Sequence, residues 1–563
     1  MDQRHRELIE HGDKLFSDRR SLDSFWQEAA EQFHPEMASF TRERSDGEDF
    51  AANLVTSYPL IARRTLGDTL SALLRPVSLD TTSPGVWFGM RTQNDDYEDH
   101  AARLWIERST KIMRKAMYDR AAGFVRATKE GDHSFATFGQ CIIQLGLNRQ
   151  RNGLLYRSHH LKDVVWTENS EGAICAVHRR WNPTVVQLID LFGDRVSSNV
   201  KTKASQTPHE RVKIRHIVLD AEMYEQKDVT GKRYRQPWVS IWIDVDNTHV
   251  MEESGSFSRI YIIPRWVTVP GSQYASSPAV TAALPDARLI QAMTLTLLEA
   301  GEKFANPPMV AQQEVIRSDL GLYPGGVTWV DAEYDERLGP ALRPVYLPTG
   351  GQAVGIGLQL RADIRESIAK AFFLDSLSLP PMQSRDRVTA LEISERTSEW
   401  VRRAMPIFEP MEFEYNGLLC EETFELLMRN AGFGPYENIP ASLRGAEIQF
   451  KFESPIHESV ERRKGEKFME AKAALIQAVD LDPAVAHMLD ARTALRDIYY
   501  AIGVPMTWTR DEQTVNAMEE ARQEKAQEQA MMEAAMPASE AIKNIGTAAK
   551  DMAMAQQPVE QAA

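Results

Sequence analysis

Two arginines in a proline-bearing loop, Arg385 and Arg387 of SLSLPPMQSRDR, are the most suggestive chemical feature of this 563-residue chain. Guanidinium groups on an exposed loop can touch phosphates without reading bases. In a monomer they are an ordinary surface pair; repeated around a ring they would form two basic circles. The segment GGQAVGIG at 350–357 superficially resembles a phosphate-cradling loop. It lacks the Lys-Ser/Thr of a P-loop, and Leu360 stands where the third glycine of G-x-G-x-x-G belongs. It reads as a flexible joint opening a helix.

Asp244 and Asp246 share one face of the strand WVSIWIDVD and could chelate a cation, but no partner ligand accompanies them. His159-His160 lacks metal-ligand spacing and reads as a surface pair, and NDDYEDH as a solvated acidic loop. Cys141, Cys175 and Cys420 follow no C-x-x-C pattern, so reduced structural thiols are expected rather than disulfides or zinc ligands. No H-E-x-x-H, G-x-S-x-G or kinase signature is present. The residues therefore predict no catalytic group, no metal and no cofactor.

Composition narrows the class. Hydrophobic residues make up 43% and charged residues 26%, ordinary for a folded soluble protein, and the length calls for several structural units. The net charge of −15 disfavours tight grip on phosphates and suits a surface past which DNA slides. The charged opening MDQRHRELIEHGDKLF does not read as a secretory signal, and no run approaches the roughly 20 apolar residues of a membrane span. The expected setting is a cytoplasm or an assembled particle.

The elements that would position these residues alternate in a recognisable order. Leu22, Phe25, Trp26, Ala29, Ala30 and Phe33 recur at helical spacing up to His34-Pro35. A second amphipathic run covers Tyr58 to Leu74, closed by Arg75-Pro76. VWFGM reads as a strand, and 101–140 as helix. From Cys141 to Val269 the period changes to two, predicting antiparallel strands at CIIQLGL, GLLYRSH, AICAVHRRW, RVKIRHIVLD, WVSIWIDVD and RIYIIPRWVTV.

Helix returns at Pro285, and LIQAMTLTLL (289–298) carries no charge, so it must be covered by its own chain or by copies of itself. A compact Pro/Gly-rich unit with strand-like pieces spans 306–350. Leu360, Ile364, Ile368 and Phe372 then form a seam at i+4 on a further helix. A third helix starts near Val388, helix covers 457–510, and the Ala/Glu/Gln/Met-rich end beyond 511 suits a long exposed helix. The fold class is α+β.

This order resembles the head-to-tail connecting, or portal, proteins of short-tailed bacteriophages. The likeness rests on FWQEAAEQFHPE, ARRTLGDTLSALLRP with VWF, FATFGQCIIQL, SSPAVTAALPDARLIQ, NPPM with YPGGVTWVD, RVTALEISER and FESPI, in that order. The resemblance implies a mainly helical portal fold of wing, stem, clip and crown, with an antiparallel β-rich wing and a small β-containing clip. Residues 1–280 would be the N-terminal wing, 281–305 a stem helix, 306–350 the clip and 351–373 the second stem helix. The channel loop would be 374–388, a wing helix and return 389–456, the crown 457–510, and a helical tail, barrel or disordered end 511–563.

It further implies a ring of twelve subunits at one capsid vertex of the virion, assembled in the host cytoplasm and not enzymatic. Leu289, Met293, Leu297, Leu360, Ile364 and Ile368 would pack stem helices between subunits. Lys370, Arg385 and Arg387 would face double-stranded DNA in the channel, without sequence specificity. Tyr323, Pro324 and Trp329 would dock partners at the clip. Those partners are the terminase large subunit and tail adaptor proteins, with major capsid and scaffold proteins around the ring and no membrane. The competing expectations are another oligomeric virion protein (a tail adaptor or internal scaffold) and a nucleotide-dependent enzyme using the segment near 350.

Overall fold

The computed structural model describes residues 3–45, 47–49, 51, 54–76, 87–93, 99–225, 236–305, 307–311, 329, 337, 342–344, 351–377, 399, 403, 407, 411–452, 472–473, 475, 495, 499, 508–510, 514–529, 545–547 and 550. The chain divides into two compact units. One comprises Met1–Arg91, Ser109–Asn438 and Ile448–Val460; the other comprises Thr92–Arg108, Ile439–Glu447 and Glu461–Ala563.

The first unit opens with helices α1 (Gln3–Asp18), α2 (Arg20–Phe33) and α3 (Tyr58–Leu74). Proline sets where α2 and α3 stop: each ends one residue before the residue that precedes Pro35 or Pro76, since proline disfavours an α conformation there. Strand β1 (Phe88–Thr92) leads to α4 (His100–Met117) and α5 (Phe124–Phe138). Left-handed glycines bracket α5, Gly123 at φ 67° and Gly139 at φ 73°.

The β-rich region then follows. Strands β2 (Ile142–Leu147) and β3 (Leu154–His159) form a hairpin, and β4 (Val164–Glu168) and β5 (Ile174–Trp181) a second. Helices α6 (Val185–Phe192) and α7 (Ser198–Gln206) intervene before β6 (Ile214–Asp220), α8 (Ala221–Glu225), β7 (Trp238–Asp244) and β8 (His249–Ser256). Thr184 opens α6 with a capping box: its hydroxyl accepts the amide of Gln187, whose side chain accepts the amide of Thr184.

Strands β4 to β8 make one five-stranded antiparallel sheet in sequence order. The expected strands are found except that RIYIIPRWVTV is divided between two two-residue strands of different sheets, and β4 and β8 join them: β4 mixes Trp166 with polar Thr167 and Glu168, and β8 carries mostly polar residues, so neither shows a two-residue period. The short strand β9 (Tyr261–Ile262) completes a three-stranded sheet in the order β3-β2-β9, and β10 (Val267–Thr268) pairs with β11 (Ala275–Ser276).

Both faces of the large sheet are covered. Val239, Ile241 and Ile243 join Ala176, Ile217 and Leu219 in a core against Leu8 and Ile9 of α1. On the other face Val177 and Val218 meet Trp26, Phe138 and Trp166, while Ile214 and Met251 pack under α6 and α7. Burying one such large side chain contributes about 1.5–3 kcal/mol. This double cover also encloses the polar side of β7. Ser240 and Asp244 are buried, and Asp244 accepts from Ser197 Oγ at 3.2 Å and from the amide and side chain of Asn247 at 3.1 and 2.7 Å. Asp246 instead receives the amide of Lys213 at 3.2 Å. The two carboxylates have separate structural partners.

Helix α9 (Pro278–Ala305), the strand pair β12 (Met309–Ala311) with β13 (Leu342–Pro344), and α10 (Gly351–Ala371) follow in order. Past the short helix α11 (Leu374–Leu377), a π-helical turn at Glu412–Gly417 runs into the helix Leu418–Arg429, and β14 (Ile448–Phe452) pairs with β1. In the second unit the amide of Gln93 donates to the carbonyl of Glu447, and residues 514–529 are helical with no buried side chain. 

RVTALEISER lies wholly, and 457–510 mostly, outside the described residues.

Candidate functional site

The residues that gave the chain its most distinctive sequence patterns converge where α9 begins. Ser277 is the N-cap: its hydroxyl accepts the amide of Val280 at 3.4 Å, and its carbonyl accepts the amide of Thr281 at 2.9 Å. Pro278 follows at the first helical position, where its missing N–H costs nothing. This corrects the expected start at Pro285, which lies inside the helix. Thr281 and Pro285 are both exposed, so water can take the place of the N–H that proline lacks.

The hydroxyl of Ser277 also donates to the carbonyl of Ala136 at 2.7 Å, in the last turn of α5. One turn on, Gly139 brings its backbone so near that an added Cβ would lie 2.2 Å from the carbonyl carbon of Ser276. Fully buried Gln140 accepts the amide of Ala275 at 2.9 Å, and the carbonyl of Gly139 accepts the amide of Trp266 at 2.8 Å. FATFGQ and SSPAV thus form one joint.

The first helices close around it. Trp26 and Phe138 lie 6.3 Å apart, and Arg63 Nε donates to the carbonyl of Phe33 at 2.9 Å. Phe33 meets Phe372, just past α10, at 5.2 Å. Both ends of the excursion through α9 and α10 therefore return to one root.

Glutamine side chains fasten the intervening loop. Gln27 Oε1 accepts the amides of Phe40 and Thr41 at 2.8 and 3.3 Å. Gln291 Oε1 accepts those of Val55 and Thr56, both at 2.9 Å, and its Nε2 donates to the carbonyl of Thr56 at 3.0 Å. Neither glutamine stood out in the sequence, because a single amide among apolar residues carries no periodic signal.

From this root α9 and α10 run as an antiparallel pair. Leu297 meets Gly357, whereas Gln291 meets the segment just before α3 and Arg365 its first residue, 5.3 Å from the centre of the Tyr58 ring. The 28 residues of α9 are about 42 Å long, and none after Thr294 is buried. Leu295, Leu298 and Phe304, with Ile356 and Leu358 of α10, are all about half or more exposed. Within the uncharged run only Ile290, Gln291 and Thr294 are fully buried by the chain itself.

Of the residues singled out for packing, Leu289 and Leu360 are exposed, Met293 and Leu297 half-buried, and Ile364 and Ile368 already buried within the chain. Of these six, Leu289 and Leu360 leave the most surface exposed. Lys370 is exposed, and Glu366, 2.6 Å away, raises its pKa through a hydrogen bond and its charge. Trp329 is exposed; Arg385, Arg387, Tyr323 and Pro324 lie outside the described residues. GQAVGIG is helical from Gly351 rather than a joint, with Gly357 seated against Leu297.

Buried polar residues tie the later segments to this body. Arg75 donates to Asp132 and, at 2.8 Å, to Asn416, and its guanidinium lies 4.7 Å from the centre of the Tyr415 ring. Burial pushes the Arg75 pKa down, but the Asp132 carboxylate and its hydrogen bond help to hold it above its ordinary value. Arg265 pairs with Glu168 and Glu414. His159 and His160 are part-buried rather than a surface pair: His159 binds Gln144 at 2.8 Å, and His160 binds the carbonyl of Met37 at 3.1 Å. Cys141, Cys175 and Cys420 are buried free thiols.

Among the described residues, no His, Cys, Asp and Glu side chains gather in a metal-binding group. No described helix is long and apolar enough to cross a membrane.

A sequence model described as "Bacteriophage head to tail connecting protein" matches residues 5–509. The chain is 25% identical over 463 residues to the "Probable portal protein" of Bordetella phage BPP-1, covering 79% of this chain and 78% of that one. It is 21% identical over 533 residues to the "Portal protein" of Salmonella phage epsilon15, covering 92% and 91%. A solved chain from the virion of a native gene transfer agent particle aligns at a TM-score of 0.34 and 10% identity, covering 79% of this chain and 95% of that one.

Proposed function

Because the chain belongs to the bacteriophage head-to-tail connecting protein family, we propose that it forms the portal of a phage head, a ring of twelve copies at one capsid vertex. In this reading the α9–α10 pair is the stem, the β12–β13 pair belongs to the clip, and the body that roots the stem is the wing. The ring is the channel for packaging and ejecting double-stranded DNA. Its clip docks the terminase large subunit during packaging and a tail adaptor afterwards, while major capsid and scaffold proteins surround it.

The observation that carries this reading is the uncovered apolar surface on α9 and α10. An uncharged helical run such as 289–298 of α9, buried by its own chain along one face, needs neighbours on the others. Each exposed leucine buried between copies would contribute about 1.5–3 kcal/mol, repeated at every subunit contact. A closed ring also gives heterologous contacts an end point, where an open arrangement would propagate as a filament.

Its role in DNA passage is mechanical and electrostatic. The −15 charge of each copy limits adhesion to the duplex. Arg385 and Arg387 would supply sparse phosphate contacts from the channel loop, beside Lys370. ATP hydrolysis falls to the terminase.

Native mass spectrometry with negative-stain microscopy of the purified chain tests the proposal. Closed rings near twelve subunits are expected, and Leu289→Glu/Leu360→Glu should leave folded monomers. A chain that remains monomeric with scaffold protein and at high concentration would overturn the ring.

A further inference from the structure

Helix α1 packs on one face of the five-stranded sheet, and a pocket of about 130 Å³ remains between them. Leu8 and His11 of α1, Ala176 and His178 of β5, and Leu219 of β6 line it, with Met223 and Tyr224 of α8 completing the wall. Ala176 and Leu219 are directly opposed across the β5–β6 ladder, and His178 follows two residues after Ala176 on the same face.

His178 is the unusual member. It is 0% exposed, and neither of its ring nitrogens has a hydrogen-bond partner. Burial, with Arg215 and His11 nearby, lowers its pKa to about 3, so the ring is neutral and offers one donor and one acceptor. Leaving such a group unmet among apolar neighbours is costly. Its polar neighbours in the pocket are engaged elsewhere. The Arg4 guanidinium lies 3.3 Å from the centre of the Tyr224 ring, and the Tyr224 hydroxyl donates to Glu253 at 2.9 Å. Glu7 accepts from Gln3 at 3.2 Å, and His11 stands edge-on to His178 with ring centres 5.5 Å apart.

We propose that this pocket takes an uncharged single-ring ligand of the phenol class, its hydroxyl on His178 and its ring against Leu8, Ala176 and Leu219. Size sets the ring. An engineered apolar cavity of about 150 Å³ admits benzene, whereas one water needs only about 10–15 Å³. His178 sets the hydroxyl, which both donates and accepts and so meets an imidazole nitrogen in either tautomer. Arg4 and Glu7, three residues apart on α1, both line the pocket, so it selects neither sign of charge. A bound ligand touches α1 and the sheet together and holds the first helix in place.

Saturation-transfer NMR titration of the full chain with phenol and, separately, with toluene tests this. Saturable phenol binding is expected, roughly fivefold to tenfold tighter than toluene, the worth of one hydrogen bond. His178→Leu should bring phenol down to the affinity of toluene, and Ala176→Leu should abolish both by filling the pocket. If Ala176→Leu fails to fold, the preference for phenol in the unmodified chain and its loss in His178→Leu decide the matter. Phenol should also slow amide hydrogen exchange in α1. No saturable phenol binding, equal affinity for the two ligands in the unmodified chain, or a preference for phenol that survives His178→Leu overturns the proposal. So does phenol binding unchanged in a folded Ala176→Leu chain.

Discussion

The hydroxyl of Ser277 and the carbonyl of Ala136 lie 2.7 Å apart, joining the first residue of one helix cap to the last turn of another across 141 positions of sequence. The same hydroxyl accepts the amide of Val280, so one side chain both starts α9 and fixes it to α5. Ser277→Ala is expected to destabilise the chain by about 1–2 kcal/mol, the usual cost of a lost N-cap with some added penalty for the freed carbonyl. Urea denaturation checks this; an unchanged midpoint would show that the joint does not depend on the hydroxyl.

Gly357 admits Leu297 into the groove between α9 and α10. A Cβ at Gly357 would stand 2.6 Å from Leu297 Cδ2, the mobile end of a flexible side chain. Two effects oppose each other in Gly357→Ala: helix propensity improves by about 1 kcal/mol, and Leu297 must move. In Leu297→Ala the obstruction is gone, so Gly357→Ala should be more favourable there than in the unmodified chain. A double-mutant cycle on thermal unfolding measures the difference, and additivity would contradict the contact.

Arg75, Asp132, Asn416 and Tyr415 join residues from three distant parts of the sequence in a buried cluster. Removing one charge of such a pair strands the other, so Arg75→Met or Asp132→Leu should cost about 3–5 kcal/mol. The double substitution should recover part of that loss, because no unpaired charge remains. Equilibrium unfolding of all three variants separates these outcomes.

Acid should loosen the first unit. Burial, aided by neighbouring cations, lowers the pKa of His34 to about 2, of His159 and His178 to about 3, and of His160 to about 4. Unfolded, each titrates near 6.5, so the unfolded chain takes up the protons. The stability held by the neutral rings is present above about pH 6.5 and is lost progressively as pH falls toward the folded values. Each ring contributes up to about 1.4 kcal/mol per pH unit in that window. His178 lacks a hydrogen-bond partner at either ring nitrogen, so His178→Leu removes one titrating ring without breaking a bond. Its unfolding free energy should fall less steeply between pH 7 and 5 than that of the unmodified chain.

Local patterns in the sequence were enough for α2, α3 and the principal strands. The reason is physical: prolines stop helices by sterics, and a two- or 3.6-residue period follows from which side of an element is buried. The start of α9 was also written locally, in Ser277-Pro278, although Pro285 drew attention away from it. A proline on the exposed side of a helix can be tolerated, and only the surrounding structure says whether it is.

What the tertiary structure alone decided is which faces are covered. The alternation in β7 cannot reveal that α6 and α7 cover its second face and bury Asp244. No sequence pattern shows that Gln27 and Gln291 each hold two successive amides, or that Gly139 must lie against Ser276. These depend on residues brought together from distant positions, and on the space between backbones. The uncharged run 289–298 shows both sides of this division: its composition announced that it needs cover, and the fold determined that only Ile290, Gln291 and Thr294 are fully buried by their own chain.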